Sequence, residues 1–210
     1  MGESDLLIEI WSDVVCPWCY IGKRNLEMAL AGFEDRESVE IRHRAFQLNP
    51  MAHLTRSSFE ALSEKYGVSQ VRAMIDRVSK VAADAGLTFR LEETMTGNTS
   101  DAHRLLLWAQ SQGNAQPLLA AMYRAYFEEV KSLFDHKNLL EIAIEAGYSE
   151  LEVTKLLTSD SLMVEVEEDQ AMATSLGANG VPFFVVNGTH GLSGAQPISV
   201  FAQVLAKASS

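Results

Sequence analysis

Two cysteines near the N-terminus are the residues of this chain with the clearest capacity for chemistry. The 210-residue sequence contains only Cys16 and Cys19, in the motif Cys-Pro-Trp-Cys. The apolar run from Leu6 to Ser12 has the length of a buried strand, and helix-forming residues follow from Trp18 to Ala31. A thiol at the start of a helix meets unpaired backbone N–H groups and the positive end of the helix dipole, which both favour the thiolate. The motif therefore predicts a redox pair in which Cys16 attacks a disulfide and Cys19 resolves the mixed disulfide.

A structural role for the two thiols is the alternative. One pair of cysteines this close together cannot cross-link a fold of this size. If the two cysteines were half of a zinc site, a second pair of ligands would be needed. The five histidines stand isolated in different predicted elements and do not form such a pair. We therefore expect no metal at this motif. We also expect Pro17 and Trp18 to present the pair at the surface, where Trp18 would cap the site and contact substrate.

The charge and hydropathy of the chain exclude several classes of function. Asp and Glu number 28 against 17 Lys and Arg, which gives a formal net charge of −11. Nucleic acids and anionic membranes would repel a chain this acidic, so we expect neither as a partner. No apolar stretch approaches the ~20 residues that cross a bilayer, and the N-terminus lacks the basic start and cleavage site of an export signal. The sequence therefore predicts a cytoplasmic location.

Strand-like segments stand at both ends of the chain, with helical patterns between them. Val39–Phe46 alternates with the period of a strand, and helical patterns fill residues 51–177. Strand character returns at Pro182–Val186. Asn187-Gly188 then predicts a tight hairpin turn, with a return strand at Gly191–Ala195. The order of elements predicts an α/β unit that a helical block interrupts.

Segments spread over nearly the whole chain resemble the DsbA family of thioredoxin-fold thiol–disulfide oxidoreductases, and within it the FrnE-like branch. They occur in the family's order, so the resemblance does not depend on one motif. The matching segments are Ser12–Arg24, Ala45–Pro50, Asn98–Thr99, Asp101–Leu105, Gly180–Val185 and Ser193–Pro197.

The resemblance implies a fold and a set of site residues. The fold class is α/β, a thioredoxin fold interrupted by an all-helical insertion domain. Residues 1–50 and 178–210 would form the thioredoxin-like domain, and residues 51–177 the insertion, whose last helix is shared. Cys16 and Cys19 would be the redox pair, covered by the inserted helices. Pro182 would be a cis-proline that faces them, and Val181 would offer its backbone to thiol or disulfide substrates.

The same branch includes 2-hydroxychromene-2-carboxylate isomerases and kappa-class glutathione transferases. Those enzymes typically carry a serine at the place of Cys16 and use it to activate glutathione. This chain keeps both cysteines, which favours disulfide chemistry and implies no resident cofactor. The chain also contains a segment of the type that lines the substrate pocket in those enzymes, and this segment includes Asn98 and His103. Glutathione therefore remains open as a co-substrate, and so does a glutathione-dependent isomerase or transferase activity. A third hypothesis is a non-enzymatic, partner-binding module.

Two further residues allow a functional and an ordinary interpretation. His103 lies beside the apolar stripe of its predicted helix, so it could form a pocket wall near Cys16 or an ordinary helix surface. Glu9 stands within the apolar first strand. It resembles the buried carboxylate that accepts a proton from the inner thiol in thioredoxin-type enzymes, and a water-exposed strand end would explain it equally well.

Overall fold

A mixed sheet of four strands forms the centre of the fold. The computed structural model describes residues 6–209, so the first five residues, on which the prediction of no export signal partly rests, lie outside the described residues. Within the described part, no helix is both long and apolar enough to cross a membrane. The strands are β1 (Leu6–Ser12), β2 (Val39–Ala45), β3 (Arg56–Ser57), β4 (Met95–Thr96), β5 (Phe183–Val186) and β6 (His190–Ser193). The helices are α1 (Pro17–Ala31), α2 (Ser58–Tyr66), α3 (Val68–Asp84), α4 (Ser100–Ser111), α5 (Gln116–Phe127), α6 (His136–Glu145), α7 (Glu150–Leu157), α8 (Met163–Ser175) and α9 (Ile198–Ala208).

The sheet has the strand order β2-β1-β5-β6. Strand β1 runs parallel to β2 and antiparallel to β5, and β5 and β6 form an antiparallel hairpin. On one face, Ile8 and Ile10 pack in a buried cluster with Leu26 of α1 and Phe201 of α9. On the other face, Trp11 packs against α8. Because both faces of β1 are covered, its sequence reads as a nearly continuous apolar run.

The structure confirms the predicted fold class, an α/β fold with helices inserted between β2 and β5. The predicted turn is also present, with φ of 48° at Asn187 and 67° at Gly188. The return strand β6 spans His190–Ser193 and not the predicted Gly191–Ala195. It ends earlier because Gly194 has a φ of 81°, which lies outside the extended region of a strand.

The inserted helices share a buried core with the redox motif. Val14, Cys16 and Cys19 pack in one cluster with apolar residues of α4, α5, α6 and α7. Helix α8, in contrast, contributes Ala173 to the cluster around Trp11 of the sheet. The helices therefore rest directly on the strand–helix junction. The domain boundaries at residues 51 and 177 stay predictions.

Arg104 fastens α4 to the connection between α7 and α8. Its side chain is 3% exposed, and its Nη1 donates to Asp101 Oδ1 at 2.6 Å. The other guanidinium nitrogens donate to the carbonyls of Leu156 (2.8 Å), Ser161 (2.6 Å) and Ser159. A buried guanidinium needs this many acceptors, because an unpaired charge in the interior is costly. Arg104 thus has a structural role.

His43 is a second buried polar residue with a consequence for stability. It lies on β2, is 5% exposed, and makes only a weak side-chain contact with Gln116. Burial lowers the pKa of His43 to about 4, and the positive charge of Lys23 acts in the same direction. Folding therefore holds His43 in its neutral form.

The neutral state of His43 predicts a specific loss of stability in acid. The unfolded chain takes up the proton near the ordinary pKa of about 6.5, whereas the folded chain does so only near pH 4. Stability is thus fully present above pH 6.5, and falls by roughly 3 kcal/mol as the pH drops towards 4. His43→Leu should lack this part of the pH dependence in urea unfolding curves, and His190→Gln, a change in a partly exposed histidine, should keep it. Equal pH dependence in the wild type and His43→Leu would contradict the assignment.

Candidate active site

Cys16 lies between β1 and α1, and Cys19 lies in the first turn of α1, at the junction that the sequence predicts. Cys16 immediately precedes the helix with φ −90° and ψ 115°, and Pro17 occupies the first turn. The N–H of Cys16 donates to the carbonyl of Asp13 at 3.1 Å, and the carbonyl of Cys16 accepts from the N–H of Cys19 at 3.0 Å. Both thiols are free, and the two side chains approach to 3.4 Å. The turn therefore places two thiols side by side at the start of a helix.

The expectation that the pair lies at the surface is wrong, because the inserted helices cover it. Cys16 is 4% exposed and Cys19 is 2% exposed, whereas Trp18 between them is 36% exposed. Burial raises the pKa of the Cys19 thiol well above its usual value. The hydrogen bond with Cys16 and the charge of its sulfur raise the pKa further, whereas a hydrogen bond with the Asp13 backbone lowers it by more than the Asp13 charge raises it. Cys19 therefore remains protonated near neutral pH.

The segment before β5 faces the cysteines, as the resemblance implies. The Val181–Pro182 peptide bond is cis, and the carbonyl oxygen of Val181 lies 3.8 Å from Cys16 Sγ. Gly22 of α1 lies against this segment. A Cβ atom at Gly22 would come within 3.0 Å of Pro182 Cγ and 3.2 Å of a ring atom of Phe184. The absence of a side chain at Gly22 lets α1 approach Pro182. The sequence offers one signal for this, a glycine within a helical pattern.

A cleft of about 690 Å³ opens beside the start of α1. Asp13, Pro17 and Trp18 line one side of it. Helices α2 and α3 line the opposite side with mostly apolar residues and two cations: Phe59, Leu62, Lys65, Met74, Ile75, Arg77 and Val78. Its volume lies within the range of about 300–1,000 Å³ that is typical of small-molecule sites. The inserted helices thus form a substrate-sized cleft beside Pro17 and Trp18, although neither Cys16 nor Cys19 lines it.

Of the predicted substrate-contacting residues, Trp18 lines this cleft and Asn98 does not. Asn98 is held by backbone and side-chain partners instead. Its Oδ1 accepts from Gln47 Nε2 (3.1 Å) and from the N–H of Ser100 (2.8 Å), and its Nδ2 donates to the carbonyl of Pro50 (2.8 Å). These contacts join the segment after β2 to the start of α4. In this structure Asn98 connects two segments of the scaffold.

Glu9 forms an ion pair with Arg44 and does not take the place expected of a proton acceptor for the inner thiol. Arg44 of β2 donates to Glu9 Oε1 at 2.6 Å and to Asp169 Oδ1 of α8 at 3.1 Å. The expectation that Glu9 serves the inner thiol is therefore corrected. The acidic residue whose charge acts on Cys19 is Asp13. Asp13 is not among the site residues predicted from the sequence, although a carboxylate three positions before the redox motif is visible there.

Asp13 is completely buried and faces His103. Its Oδ2 accepts from the N–H of Leu48 at 2.7 Å, and its Oδ1 lies 3.4 Å from His103 Nε2. His103 is 2% exposed and does not line the cleft, so it forms neither a pocket wall nor a helix surface. Within residues 6–209, no three His, Cys, Asp or Glu side chains are grouped so as to hold a metal ion. A buried carboxylate and a buried imidazole thus lie in contact behind the redox motif.

Comparison with known proteins identifies the fold and a close relative. Residues 7–206 match the family described as the DSBA-like thioredoxin domain. The chain is 42% identical to a probable DsbA oxidoreductase from Streptomyces coelicolor, with a TM-score of 0.91 over 97% of this chain and 89% of that one. No curated protein sequence matches the chain.

More distant solved structures share the fold alone. A 2-hydroxychromene-2-carboxylate isomerase is 12% identical, with a TM-score of 0.69 over 96% of this chain and 95% of that one. The cytosolic disulfide reductase DsbM from Pseudomonas aeruginosa, in a structure with glutathione, is 18% identical. Its TM-score is 0.67 over 96% of this chain and 98% of that one.

The contact between Gly22 and Pro182 predicts an unusual response to alanine. Glycine to alanine inside a helix normally adds about 1 kcal/mol of stability. At Gly22 the new Cβ would collide with Pro182 and Phe184, so Gly22→Ala should lower the free energy of unfolding by roughly 1–2 kcal/mol. Gly32→Ala is a matched control at the end of the same helix, where the nearest atom would be 3.8 Å away. Urea unfolding that finds the two variants equally stable would contradict the packing described here.

Proposed function

Because the chain belongs to the DSBA-like thioredoxin domain family, we propose that it is a thiol–disulfide oxidoreductase that acts through Cys16 and Cys19. The observation that carries this proposal is the placement of two free thiols within 3.4 Å at the start of α1. The segment Val181-Pro182 lies opposite them. The 42% identity to a probable DsbA oxidoreductase supports the same class of reaction.

Cys16 is the attacking residue in this proposal. It lies at the N-terminal end of α1, where unpaired backbone N–H groups stabilise a developing thiolate. The Cys16 thiolate attacks one sulfur of a substrate disulfide. A new S–S bond then joins Cys16 to that half of the substrate, and the other half leaves as a thiolate that takes up a proton from water. The Val181 carbonyl, 3.8 Å from Cys16 Sγ, lies where the substrate backbone would pass.

Cys19 completes the reaction. Its proton passes to water and its thiolate attacks the sulfur of Cys16, so a Cys16–Cys19 disulfide forms as the S–S bond between Cys16 and the substrate breaks. The second half of the substrate leaves as a thiolate that takes up a proton from water. The substrate disulfide gains two electrons, and the two cysteines lose them. In the reverse direction the same steps oxidise a substrate dithiol. The raised pKa of Cys19 keeps it a protonated thiol until the mixed disulfide brings an electrophilic sulfur next to it.

The cleft beside Trp18 is the proposed substrate site. Its apolar lining from α2 and α3 would contact the side chains or the carbon skeleton of a thiol or disulfide substrate. The substrates in this proposal are thiols and disulfides of proteins or small molecules, and the chain itself requires no cofactor. The FrnE-like branch and the cytoplasmic location stay predictions from the sequence. Fractionation of the native cells, followed by immunodetection, would test the location.

The reaction predicts different defects for the two cysteines. Cys16→Ser should lower the rates of insulin reduction and of scrambled-ribonuclease refolding at least about 100-fold, because the attacking sulfur is gone. Cys19→Ser should still attack but should accumulate a mixed disulfide, visible as the added mass of the substrate. The Cys16→Ser, Cys19→Ser double variant gives the background rate. Full exchange activity in Cys16→Ser would rule the proposal out.

One feature of the cleft favours a second candidate, a glutathione-dependent isomerase or transferase. Lys65 and Arg77 line the cleft beside apolar residues, and two cations suit the two carboxylates of glutathione. This chemistry needs no resolving thiol. Calorimetry that detects glutathione binding, together with glutathione-dependent turnover that is retained in Cys19→Ser, would favour isomerase or transferase activity. Loss of turnover in that variant would favour disulfide exchange.

A further inference from the structure

Arg77 of α3 differs from the other arginines in residues 6–209, because it has no carboxylate partner there. Each of the others has a side-chain nitrogen at most 3.9 Å from an Asp or Glu oxygen: Arg24, Arg36, Arg42, Arg44, Arg56, Arg72, Arg90, Arg104 and Arg124. Asp and Glu outnumber Lys and Arg by 28 to 17, so an unpaired guanidinium is unexpected in this chain. Arg77 lines the cleft beside the redox motif, where its charge is available to an anionic substrate.

The accessible charge on the wall of this cleft is positive. Lys65 of α2 also lines the cleft, and its Nζ lies 4.9 Å from the centre of the Tyr66 ring. Asp13 is the only carboxylate among the described residues that line the cleft. It is 0% exposed, and its Oδ2 accepts from the N–H of Leu48 at 2.7 Å. The described lining therefore offers two cations to a ligand and no exposed carboxylate, although the chain as a whole is acidic.

Apolar side chains surround the two cations. Met74 and Val78 stand one turn apart on α3 on either side of Arg77, and Leu62 lines the cleft from α2 one turn before Lys65. The redox motif borders the opposite side of the cleft. A substrate that reacts there and also reaches Arg77 must extend across the cleft, with an apolar body between its sulfur and its anionic group. An ammonium group on the same substrate would enter the cleft without a carboxylate to pair it.

We propose that Arg77 determines specificity for an apolar thiol or disulfide that carries a carboxylate and no ammonium group. The carboxylate pairs with the guanidinium of Arg77, and Lys65 adds to the positive potential around it. The sulfur of the substrate approaches Cys16 from the side of Trp18. The inference rests on the proposed disulfide chemistry and names the class of substrate for it.

A dithiol of this class reduces the Cys16–Cys19 disulfide in two steps. One substrate thiol gives its proton to water, and its thiolate attacks the sulfur of Cys16. The Cys16–Cys19 bond breaks, and Cys19 leaves as a thiolate that takes up a proton from water. The second substrate thiol then gives its proton to water and attacks the substrate sulfur bound to Cys16, which forms the substrate disulfide and releases the Cys16 thiolate. The substrate loses two electrons, and the two cysteines gain them.

Dihydrolipoate and dihydrolipoamide are matched probes for the carboxylate. They share the dithiol and the apolar chain, and they differ only in a carboxylate or an uncharged amide. Each probe is mixed with the oxidised wild-type protein, and formation of the cyclic disulfide is followed by its absorbance. The second-order rate constant for dihydrolipoate should exceed that for dihydrolipoamide about tenfold, which is the effect of one hydrogen-bonded pair with a charged group.

Variants of α3 assign this preference to one residue. Arg77→Gln should lower the rate constant for dihydrolipoate about tenfold and leave that for dihydrolipoamide within about twofold of the wild-type value. Arg77→Lys keeps the charge and should retain most of the preference. Lys80→Gln removes an exposed cation of α3 that does not line the cleft, and it should change neither rate constant. Because dihydrolipoamide reports the same disulfide chemistry in the same variant, a loss confined to dihydrolipoate does not come from misfolding.

Hexanoate and norleucine test the ammonium group, because they share a chain and a carboxylate and norleucine adds an ammonium. Hexanoate should inhibit the reaction with dihydrolipoate at concentrations about tenfold lower than norleucine. Equal rate constants for the two dithiols in the wild type, or a preference that survives Arg77→Gln, would overturn the proposal, and so would equal inhibition by the two acids. A wild-type disulfide that neither dithiol reduces would instead contradict the proposed function.

Discussion

The burial of two adjacent thiols at one strand–helix junction is the constraint on which the rest of the structure depends. Cys16 and Cys19 are 4% and 2% exposed, yet the proposed reaction needs one of them to carry a negative charge and to meet a substrate. Burial disfavours a thiolate, so the junction must supply compensating groups and an opening. The start of α1 supplies backbone N–H groups that favour a thiolate on Cys16. The cleft beside Trp18 brings a substrate-sized space to the residues next to the thiols.

Both halves of the fold are needed to build this junction. The sheet fixes the start of α1 through β1 and lets the helix approach Pro182 through Gly22. The inserted helices cover the thiols, line the cleft and provide His103 from α4. Neither half alone contains the complete site. This explains why the insertion shares one continuous core with Cys16 and Cys19, and why residues such as Asn98 and Arg104 serve to join segments.

The features that depend on local chain chemistry are predictable from the sequence. The redox motif, the helix start at Pro17 and the turn at Asn187-Gly188 each follow from a few neighbouring residues. The roles expected for Glu9 and His103 depend on which residues meet in three dimensions, and here the sequence was insufficient. Glu9 meets Arg44, whose position 35 residues later no local pattern reveals. The burial of the cysteines was missed for the same reason, because helices from the distant insertion cover them.

A redox titration of the wild-type protein tests the central claim most directly, namely that Cys16 and Cys19 form one redox couple. Protein equilibrated with mixtures of glutathione and glutathione disulfide is quenched with acid, and its free thiols and bound glutathione are counted by mass spectrometry. The account predicts one two-electron transition from two free thiols to none, with no glutathione attached at either end. Accumulation of glutathionylated protein without a Cys16–Cys19 disulfide, or the absence of any transition, would contradict it.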